Sequence, residues 1–321
     1  MALCALYLEQ VHSLQCLAIK SDTVNRYLHA AAKIATAANQ MDPRLDVFGN
    51  KSEHITKVIN EQKRWEEMLL RHEPVTMAMI KDLESACAGL DQDSLEASMY
   101  DWNVMGHYYG FRLSEWAQNE ENKANFPLPA VDGSPLAFTF DDFQFMSAKG
   151  RHLKQSFQRN LSSAAAIIEV RWRFQKNLDN GQKIMQVANT DEPSLCCVQA
   201  AIRIIKRAQR LNTTGAETLA KFKDKSGTMR FITSVMIAKQ LQQSARRVHS
   251  IRSRNLLALW TAHSMRVGAC VSLSEAQKDP PFIQVRLRWR SQAFKDYLRN
   301  TITLAQQHAE ASNQGGAHVA A

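Results

Sequence analysis

One stretch of this chain changes its hydrophobic period, and that change restricts the fold more than any other feature of the sequence. Over most of the chain, apolar residues recur every three to four positions, which is typical of amphipathic helices. Between Ile168 and Phe174 they alternate instead with charged residues, as in a half-buried strand. The hairpin turn Asp179-Asn180-Gly181 follows, and residues 184–187 return as a second strand. The sequence therefore predicts a mainly α fold with a small antiparallel β-sheet, to which the alternation at residues 136–140 adds a strand.

The helical pattern is interrupted at Arg71-His72-Glu73-Pro74, and Thr76 can cap the helix that follows. We expect a helical N-terminal domain over residues 1–72, a second domain over residues 74–310 and a disordered tail over residues 311–321. Helices are predicted at residues 21–38, 53–70, 76–88, 93–106, 193–211, onward from 233, and over at least the second half of 255–273, with a small hairpin at 222–232.

The charge balance of the chain favours a polyanionic partner. Its 321 residues include 40 Lys and Arg against 31 Asp and Glu, which gives a net charge of +9 and a pI near 9.3. Cationic surface displaces counterions from nucleic acid, so this balance is typical of proteins that bind DNA or RNA. Charge alone is equally consistent with a basic protein that binds no polyanion.

The cysteines and the apolar segments exclude several other classes. The six cysteines form no Cys-x-x-Cys pair and no His/Cys cluster at zinc spacing, which predicts neither a disulfide framework nor a metal site. No apolar run approaches membrane-spanning length, and the first residues are too interrupted for a signal peptide. We therefore expect an intracellular protein without metal, cofactor or membrane, nuclear in a eukaryote and cytoplasmic in a bacterium.

Three segments carry residues suited to chemistry on a phosphodiester. They are Gly110-Phe-Arg112-Leu-Ser-Glu115-Trp116, His263-Ser-Met-Arg266, and the stretch from Trp289 to Tyr297. Attack on a phosphodiester places extra negative charge on the non-bridging oxygens, and two guanidiniums can clamp these oxygens while staying ionised. A tyrosine hydroxyl can act as the nucleophile and hold the cut end covalently. Taken singly, an arginine, a helix histidine or a tyrosine is more often structural.

In this order the segments resemble the tyrosine recombinases, also called phage-type integrases. The family pattern is Gly-x-Arg-x-x-Glu, a lysine on a β-hairpin, His-x-x-Arg, a His or Trp, and the tyrosine. The resemblance covers residues 74–300, and residues 1–72 look like the helical core-binding domain that precedes the α+β catalytic domain in the family. The step from Trp289 to Tyr297 is one residue shorter than is common there. The sequence around Arg112 and Arg266 is more similar to that of recombinases of eukaryotic mobile elements than to that of bacterial resolvers of chromosome dimers.

The resemblance implies a site-specific recombinase or integrase that cleaves and rejoins DNA through a covalent 3′-phosphotyrosyl intermediate, without a metal. In such an enzyme two arginines bind the scissile phosphate, the tyrosine attacks it, the histidine assists proton transfer, the tryptophan donates its indole N–H to a phosphate oxygen, and the lysine protonates the leaving 5′ oxygen. The matching catalytic residues are Arg112, Lys176, His263, Arg266, Trp289 and Tyr297. Glu115 would orient an arginine, and Lys183 is the competing candidate for the general acid.

Double-stranded DNA and further copies of the chain are the partners that the resemblance implies. Family members act as tetramers on two duplexes, and residues 301–310 would pack on a neighbouring subunit. DNA contacts are expected from basic residues near the site, which are Arg151, Lys154, Arg171, Arg173 and Lys183. Two other interpretations stay open: a strand transferase similar to type IB topoisomerases, which use a similar residue set, and a DNA-binding relic of a mobile element that no longer cleaves.

Overall fold

The structure, a computed structural model, describes residues 20–46, 48–65, 71–117, 135–154, 161–175, 179–215, 217–298 and 309–310. The chain divides into two compact units, residues 1–70 and residues 71–321. In the first unit the described helices are α1 (Ser21–Ala37) and α2 (Glu53–Trp65). Their apolar faces meet in a small buried cluster of Val24, Leu28 and Ile59. Both helices were predicted, and residues 66–70 of the second prediction lie outside the described residues.

The second unit contains the remaining elements. Its described helices are α3 (Met77–Cys87), α4 (Leu95–Tyr109), α5 (Leu113–Trp116), α6 (Leu161–Ala164), α7 (Cys197–Arg210), α8 (Ser234–Val248), α9 (Arg254–Leu257), α10 (Ser264–Glu275) and α11 (Pro280–Arg286). Its described strands are β1 (Phe143–Met146), β2 (His152–Leu153), β3 (Ile167–Trp172), β4 (Gln182–Val187), β5 (Lys221–Lys223) and β6 (Met229–Phe231). Short 3₁₀ helices cover Phe140–Asp142, Pro193–Leu195 and Gln292–Tyr297.

Helix α4 is the centre of this unit, because it is buried on nearly every side and packs against α3, α7 and α10. The helices begin where the sequence offers a cap. Thr76, Ser94 and Thr233 each accept a hydrogen bond from the backbone N–H three residues further on. The helix predicted from Pro193 starts as a 3₁₀ turn and becomes α-helical at Cys197.

The sheet predicted from the change of period is confirmed. Four antiparallel strands lie in the order β2-β1-β3-β4, and the hairpin between β3 and β4 turns at Gly181, which has a φ of 85°. Ile168, Val170 and Trp172 are buried, as their alternation with charged residues predicted. The second hairpin, β5–β6, is confirmed too. It turns around Asp224, whose carboxylate accepts hydrogen bonds from the N–H groups two and four residues on.

The strand predicted at residues 136–140 is wrong. The chain turns there, and the strand begins at Phe143 instead. The reason is local, since the Asp142 carboxylate accepts a hydrogen bond from the Thr139 N–H at 2.9 Å and so closes a 3₁₀ turn at Phe140–Asp142. The alternating aromatic residues before the turn still reach the core, where Phe138 is buried.

The C-terminal elements form a smaller apolar cluster of their own. Among the described residues, its buried members are Ala269, Cys270, Ile283, Leu287, Phe294 and Leu298. Helix α10 contributes to this cluster on one face and packs against α4 on the other. The cluster therefore connects the 3₁₀ helix that carries Tyr297 to the centre of the unit.

Candidate active site

Five of the residues predicted to be catalytic line a single cavity. Its volume is about 660 Å³, and its walls include Arg112, His263, Arg266, Trp289 and Tyr297. The N-terminal turn of α8 closes another side with small and apolar residues, namely Ser234, Val235 and Ala238. Folding thus gathers side chains from four separate parts of the sequence.

Arg112 is placed by the end of helix α4. That helix ends at Gly110, which has a φ of 56° and whose Cβ, if present, would lie 3.1 Å from Leu287 Cδ2. Arg112 then precedes α5, and Glu115 in that helix holds it at two points. The Arg112 backbone N–H and Nη1 donate to the two carboxylate oxygens at 2.9 and 3.0 Å. Glu115 therefore has the geometry expected of an orienting residue.

Arg266 lies in the first turn of α10 and is almost completely buried, with 1% of its surface exposed. Its Nη1 donates to the Gly110 carbonyl at 2.5 Å, and its guanidinium lies 4.2 Å from the Trp289 ring centre. Burial, and next the positive charge of Arg112, lower the pKa of Arg266 to about 9. The group is still cationic at neutral pH, and an anion entering the cavity would stabilise that charge.

A third arginine, which the sequence analysis missed, joins the first two. The backbone carbonyl of Arg288 accepts hydrogen bonds from Arg112 Nη2 at 3.4 Å and from Arg266 Nη2 at 3.5 Å. Its side chain is buried and donates to Glu115 Oε2 at 2.8 Å. Burial lowers the pKa of Arg288 to about 10. No periodicity or motif in the sequence distinguishes this residue.

Tyr297 and His263 lie in direct contact. The Nε2 of His263 and the Oη of Tyr297 are 3.0 Å apart, which is a hydrogen bond. Burial raises the pKa of Tyr297, so the hydroxyl is protonated at neutral pH. Burial, and next the nearby His72, lower the pKa of His263 to about 4. The imidazole is therefore neutral at physiological pH and can accept the tyrosine proton.

His72, another residue that the sequence analysis missed, packs against this pair. Its ring lies edge-on to that of His263, with the centres 5.4 Å apart. Its Nδ1 is 3.3 Å from the Thr261 hydroxyl, and this same hydroxyl accepts a bond from the His263 backbone N–H at 3.2 Å. The backbone that follows His72 lies directly against α10. A Cβ added at Gly268 in that helix would lie only 2.3 Å from the Val75 carbonyl oxygen. The sequence did mark this region, because Pro74 interrupts the helical pattern, but we interpreted it only as a domain boundary.

Trp289 forms the wall between the arginines and the tyrosine. Its ring contacts the Arg266 guanidinium on one side, and the centre of the Tyr297 ring is 6.0 Å away. The indole N–H is buried and, within the described part of the chain, has no hydrogen-bond partner. An unpaired buried donor beside the cavity suits an anionic oxygen as its acceptor.

Lys176, predicted to be the general acid, lies outside the described residues. The described residues on either side of it are held in place: Gln175 bonds to the Asp179 carbonyl at 2.6 Å, and the Asp179 side chain pairs with Arg290, next to Trp289. The hydrogen bond from Arg290, and after it the positive charges of Arg290 and Arg112, lower the pKa of Asp179. The hairpin turn therefore lies near the cavity.

The predicted DNA-contacting residues differ in their exposure and in whether another side chain already binds them. Arg151 and Lys154 are exposed on and beside the β1–β2 hairpin. Arg171 is 39% exposed, whereas Arg173 is 18% exposed and its guanidinium binds the Asp142 carboxylate and two backbone carbonyls. Lys183 pairs with Glu169 at 2.8 Å across the β3–β4 hairpin. Arg173 thus stabilises the fold, and the exposed members of the set are better placed to meet a polyanion.

In the described part of the chain, no three His, Cys, Asp or Glu side chains are grouped in a way that could hold a metal ion. No described helix combines the length and the apolar character that crossing a membrane requires.

No protein-family model matches the sequence, and no curated protein matches it at a significant level. Among solved structures, the chain is similar to the integrase of the transposon Tn1549, solved as a Tyr-to-Phe variant in complex with transposon right-end DNA. The two chains are 16% identical and align with a TM-score of 0.52, over 97% of this chain and 84% of the integrase chain.

Two other similar structures have lower TM-scores. The XerH site-specific recombinase, in a post-cleavage complex with a palindromic difH substrate, is 11% identical with a TM-score of 0.48, over 96% of this chain and 70% of that one. The XerA recombinase is 15% identical with a TM-score of 0.41, over 91% of each chain. The Tn1549 match supports the fold that the resemblance predicted, and the chain has the fold of the tyrosine recombinases.

Proposed function

We propose that the chain is a site-specific DNA recombinase or integrase, which cleaves and rejoins strands through a covalent bond between Tyr297 and a 3′ phosphate. The observation that carries the proposal is the 3.0 Å hydrogen bond between His263 Nε2 and Tyr297 Oη, in a cavity that Arg112 and Arg266 also line. A nucleophile beside a neutral base and facing two cations is the arrangement that attack on a phosphodiester needs. The Tn1549 integrase, which has this fold, was solved with DNA, and this supports DNA as the partner.

The reaction would begin with attack by Tyr297, with His263 as the general base. The phenolic oxygen attacks the phosphorus while its proton passes to the neutral Nε2 of the imidazole. A bond forms between the tyrosine oxygen and phosphorus as the bond from phosphorus to the 5′ oxygen breaks. The leaving oxygen takes a proton from a general acid and departs as a hydroxyl. Attack by another 5′ hydroxyl reverses these steps and reseals the strand without ATP, because the phosphotyrosine conserves the bond.

The two arginines would stabilise the transition state. Negative charge grows on the non-bridging oxygens, and Arg112 and Arg266 present guanidiniums to the same cavity. Both are held by protein acceptors before any ligand binds, so little reorganisation accompanies the reaction. The unpaired indole N–H of Trp289 gives a further donor for a phosphate oxygen.

Lys176 is the residue that we assign as general acid. In the sequence it falls between Gln175 and Asp179, and Asp179 pairs with Arg290, the residue next to Trp289 in the cavity wall. Its competitor, Lys183, faces Glu169 across the hairpin and forms an ion pair with it. This pair already engages the Lys183 ammonium group, so we favour Lys176 as the general acid.

The DNA duplex would extend from the cavity along helix α8. The first turn of that helix lines the catalytic cavity, and its later turns line a second cavity of about 380 Å³ with Lys239, Arg246 and Arg254 in its walls. Arg246 and Arg252 line a neighbouring cavity of about 420 Å³. These cations suit successive phosphates and would position the duplex without reading its sequence. We further propose a tetramer on DNA, with residues 301–310 packed on a neighbouring subunit.

The test is to trap the covalent intermediate. A nicked suicide duplex, built on the DNA sequences that flank the gene, loses a short 5′ fragment after cleavage and prevents religation. The wild-type chain should then migrate as a protein–DNA adduct that resists boiling in detergent. Tyr297→Phe should bind the same DNA and form no adduct, because it keeps the ring and removes only the nucleophilic oxygen.

Tyr27→Phe is the matched control, because Tyr27 is an exposed residue of helix α1 in the first unit. It should form the adduct as the wild type does. An adduct that survives in Tyr297→Phe would refute the assignment of the nucleophile. DNA binding without any wild-type adduct would instead favour the interpretation as an inactive relic, and relaxation of supercoiled DNA by monomers would favour a topoisomerase.

A further inference from the structure

Arg288 contacts both arginines that face the cavity. Its carbonyl oxygen accepts a hydrogen bond from Arg112 Nη2 at 3.4 Å and another from Arg266 Nη2 at 3.5 Å. These two guanidiniums come from segments that are far apart in the sequence, and like charges repel each other when buried. A single oxygen that accepts from both limits their separation and aligns their forks. The position of this carbonyl therefore matters for any ligand that the two arginines bind together.

The backbone of Arg288 adopts a conformation that this residue type rarely has. Its φ is 56°, in the left-handed region, where it ends helix α11. Helices often end on a left-handed residue, but that residue is usually glycine, because a Cβ is strained there. Such strain persists only where the surroundings over-determine the conformation, and it tends to occur at functional sites. The side chain must therefore supply interactions that a glycine would lack.

Three contacts of the Arg288 side chain supply these interactions. Its Nη1 donates to the Tyr109 carbonyl at 3.0 Å, and its Nη2 donates to Glu115 Oε2 at 2.8 Å. Its guanidinium also lies over the Trp172 ring, 3.7 Å from the centre. These partners belong to the end of α4, to α5 and to the sheet, so the side chain ties the backbone of residue 288 to three elements of the core.

Glu115 connects this anchor to Arg112 by a second route. One carboxylate oxygen accepts from Arg112 Nη1 at 3.0 Å, and the other accepts from Arg288 at 2.8 Å. Arg112 is thus held at one guanidinium nitrogen by Glu115 and at the other by the Arg288 carbonyl. Because the Arg288 side chain is only 1% exposed, it does not itself reach a ligand in the cavity.

We propose that Arg288 is the positioning residue of the phosphate clamp: its anchored side chain holds the left-handed backbone whose carbonyl sets the two guanidiniums for one phosphate. This role rests on the proposed function, because it assumes that Arg112 and Arg266 bind the scissile phosphate. Arg288 acts through the other two arginines, so its loss should slow the chemical step more than it weakens the grip on DNA.

The test compares Arg288→Ala with Arg288→Gly in single-turnover cleavage of the suicide duplex. The alanine variant loses the anchors and keeps the strain, and its cleavage rate constant should fall about 100-fold. The glycine variant loses the anchors but accepts the left-handed backbone freely, so its rate constant should fall only about 10-fold. The dissociation constant for the duplex should change less than about threefold in both. Arg286→Ala, which removes a side chain bonded to the Met185 carbonyl, should cleave at the wild-type rate.

The rate constant separates this role from a merely structural one, because partial misfolding lowers the amount of adduct formed and leaves the rate constant of the folded fraction unchanged. A wild-type rate constant in Arg288→Ala would overturn the proposal, and so would a glycine variant no faster than the alanine variant. If Arg288→Ala does not fold, a wild-type rate constant in Arg288→Gly overturns the proposal.

Crystal structures of both variants give a readout that does not depend on cleavage. The guanidiniums of Arg112 and Arg266 should move apart in Arg288→Ala and move less in Arg288→Gly. Guanidiniums that keep their wild-type positions in Arg288→Ala would refute the positioning role, whatever the rates. If the wild-type chain forms no adduct, the proposed function fails, and the crystal structures still decide whether Arg288 positions the two arginines.

Discussion

The two sides of the cavity are constructed differently. On the arginine side, Arg266 and Arg288 are buried, and their guanidiniums bond to backbone carbonyls and to Glu115. On the tyrosine side, Tyr297 is half-buried on a 3₁₀ helix, and its hydroxyl bonds to His263. The guanidiniums of the first side bond to the end of the central helix and to α5, whereas the 3₁₀ helix of the second side packs in the smaller C-terminal apolar cluster.

This difference indicates that the two sides of the site have different roles. Groups that stabilise charge are most effective when they are fixed before the reaction, since moving them during the reaction costs free energy. A nucleophile must approach the phosphorus and, after cleavage, carry the covalently attached strand. A small cluster allows that movement at lower cost than the main core would. We therefore expect substitutions on the arginine side to affect both stability and rate, and substitutions on the tyrosine side to affect mainly the rate and its pH dependence.

The largest effect is expected from Arg266→Lys on the arginine side. Lysine keeps the charge but loses the planar fork, so it cannot bond to the Gly110 carbonyl and a phosphate oxygen in the same geometry. The single-turnover cleavage rate should fall about 10³-fold. Arg230→Lys, in the second hairpin where Arg230 pairs with Asp224, is the matched control and should keep the wild-type rate. A rate within tenfold of wild type in Arg266→Lys would show that charge alone suffices there.

His263→Ala tests the tyrosine side. Loss of a general base typically costs about 10²-fold in rate. Because the pKa of His263 is lowered to about 4, the imidazole is already neutral at physiological pH. Titration of His263 should therefore not change the wild-type rate between about pH 6 and 8. It should fall only as the pH approaches the pKa of His263 and the base becomes protonated.

The pH profile of His263→Ala should lack this acidic limb. Its rate should instead rise towards high pH, where the Tyr297 hydroxyl, whose pKa is raised by burial, begins to ionise without a base. An acidic limb that is the same in the variant and the wild type would assign the limb to another group. Adduct formation measured across the pH range in single-turnover mode gives both curves.

Sequence reasoning identified residues that a short pattern encodes. Arg112 and Glu115 are three positions apart at a helix start, and the same spacing joins His263 and Arg266, so each pair could be assigned locally. Their meeting in one cavity followed only from the resemblance, since no local pattern specifies it. The hairpins were predictable because alternation and the Asn-Gly turn are also local signals.

The residues that were missed act through tertiary structure. Arg288 is defined by a left-handed backbone and by partners on three other elements, none of which can be derived from the neighbouring sequence. His72 was seen only as part of a boundary, because its contact with His263 joins two segments far apart in the chain. The strand wrongly predicted at residues 136–140 failed because a single side chain–backbone bond at Asp142 overrode the hydrophobic alternation.

Glu115→Gln tests whether the arginine side also stabilises the fold. The carboxylate is 4% exposed and balances the charges of Arg112 and Arg288, so its replacement by a neutral amide leaves two cations without their partner. The free energy of unfolding should fall by about 3 kcal/mol in urea titrations, and the cleavage rate should fall about 10-fold as the clamp loosens. Glu192→Gln breaks an exposed pair with Lys81 and should cost less than about 1 kcal/mol. Equal stability losses in the two variants would contradict the contrast between the two sides.

The smallest effect on rate, and the most specific for the tyrosine side, is expected from His72→Ala. His72 contributes, after burial, to lowering the pKa of His263, and its removal also exposes that ring. Both changes raise the pKa of His263 from about 4 towards the ordinary value of 6.5. The other groups that face the imidazole, Arg112, Arg266 and the Tyr297 hydroxyl, remain in place.

At neutral pH the rate of His72→Ala should therefore drop less than about threefold, because most His263 stays neutral. The acidic limb of its profile should shift to higher pH, since a base with a raised pKa becomes protonated earlier as the pH falls. His249→Ala removes an exposed ring stacked on Trp260 and should leave the limb where it is in the wild type. If the acidic limb of His72→Ala also keeps its wild-type position, His72 does not affect the pKa of His263, and burial alone lowers it.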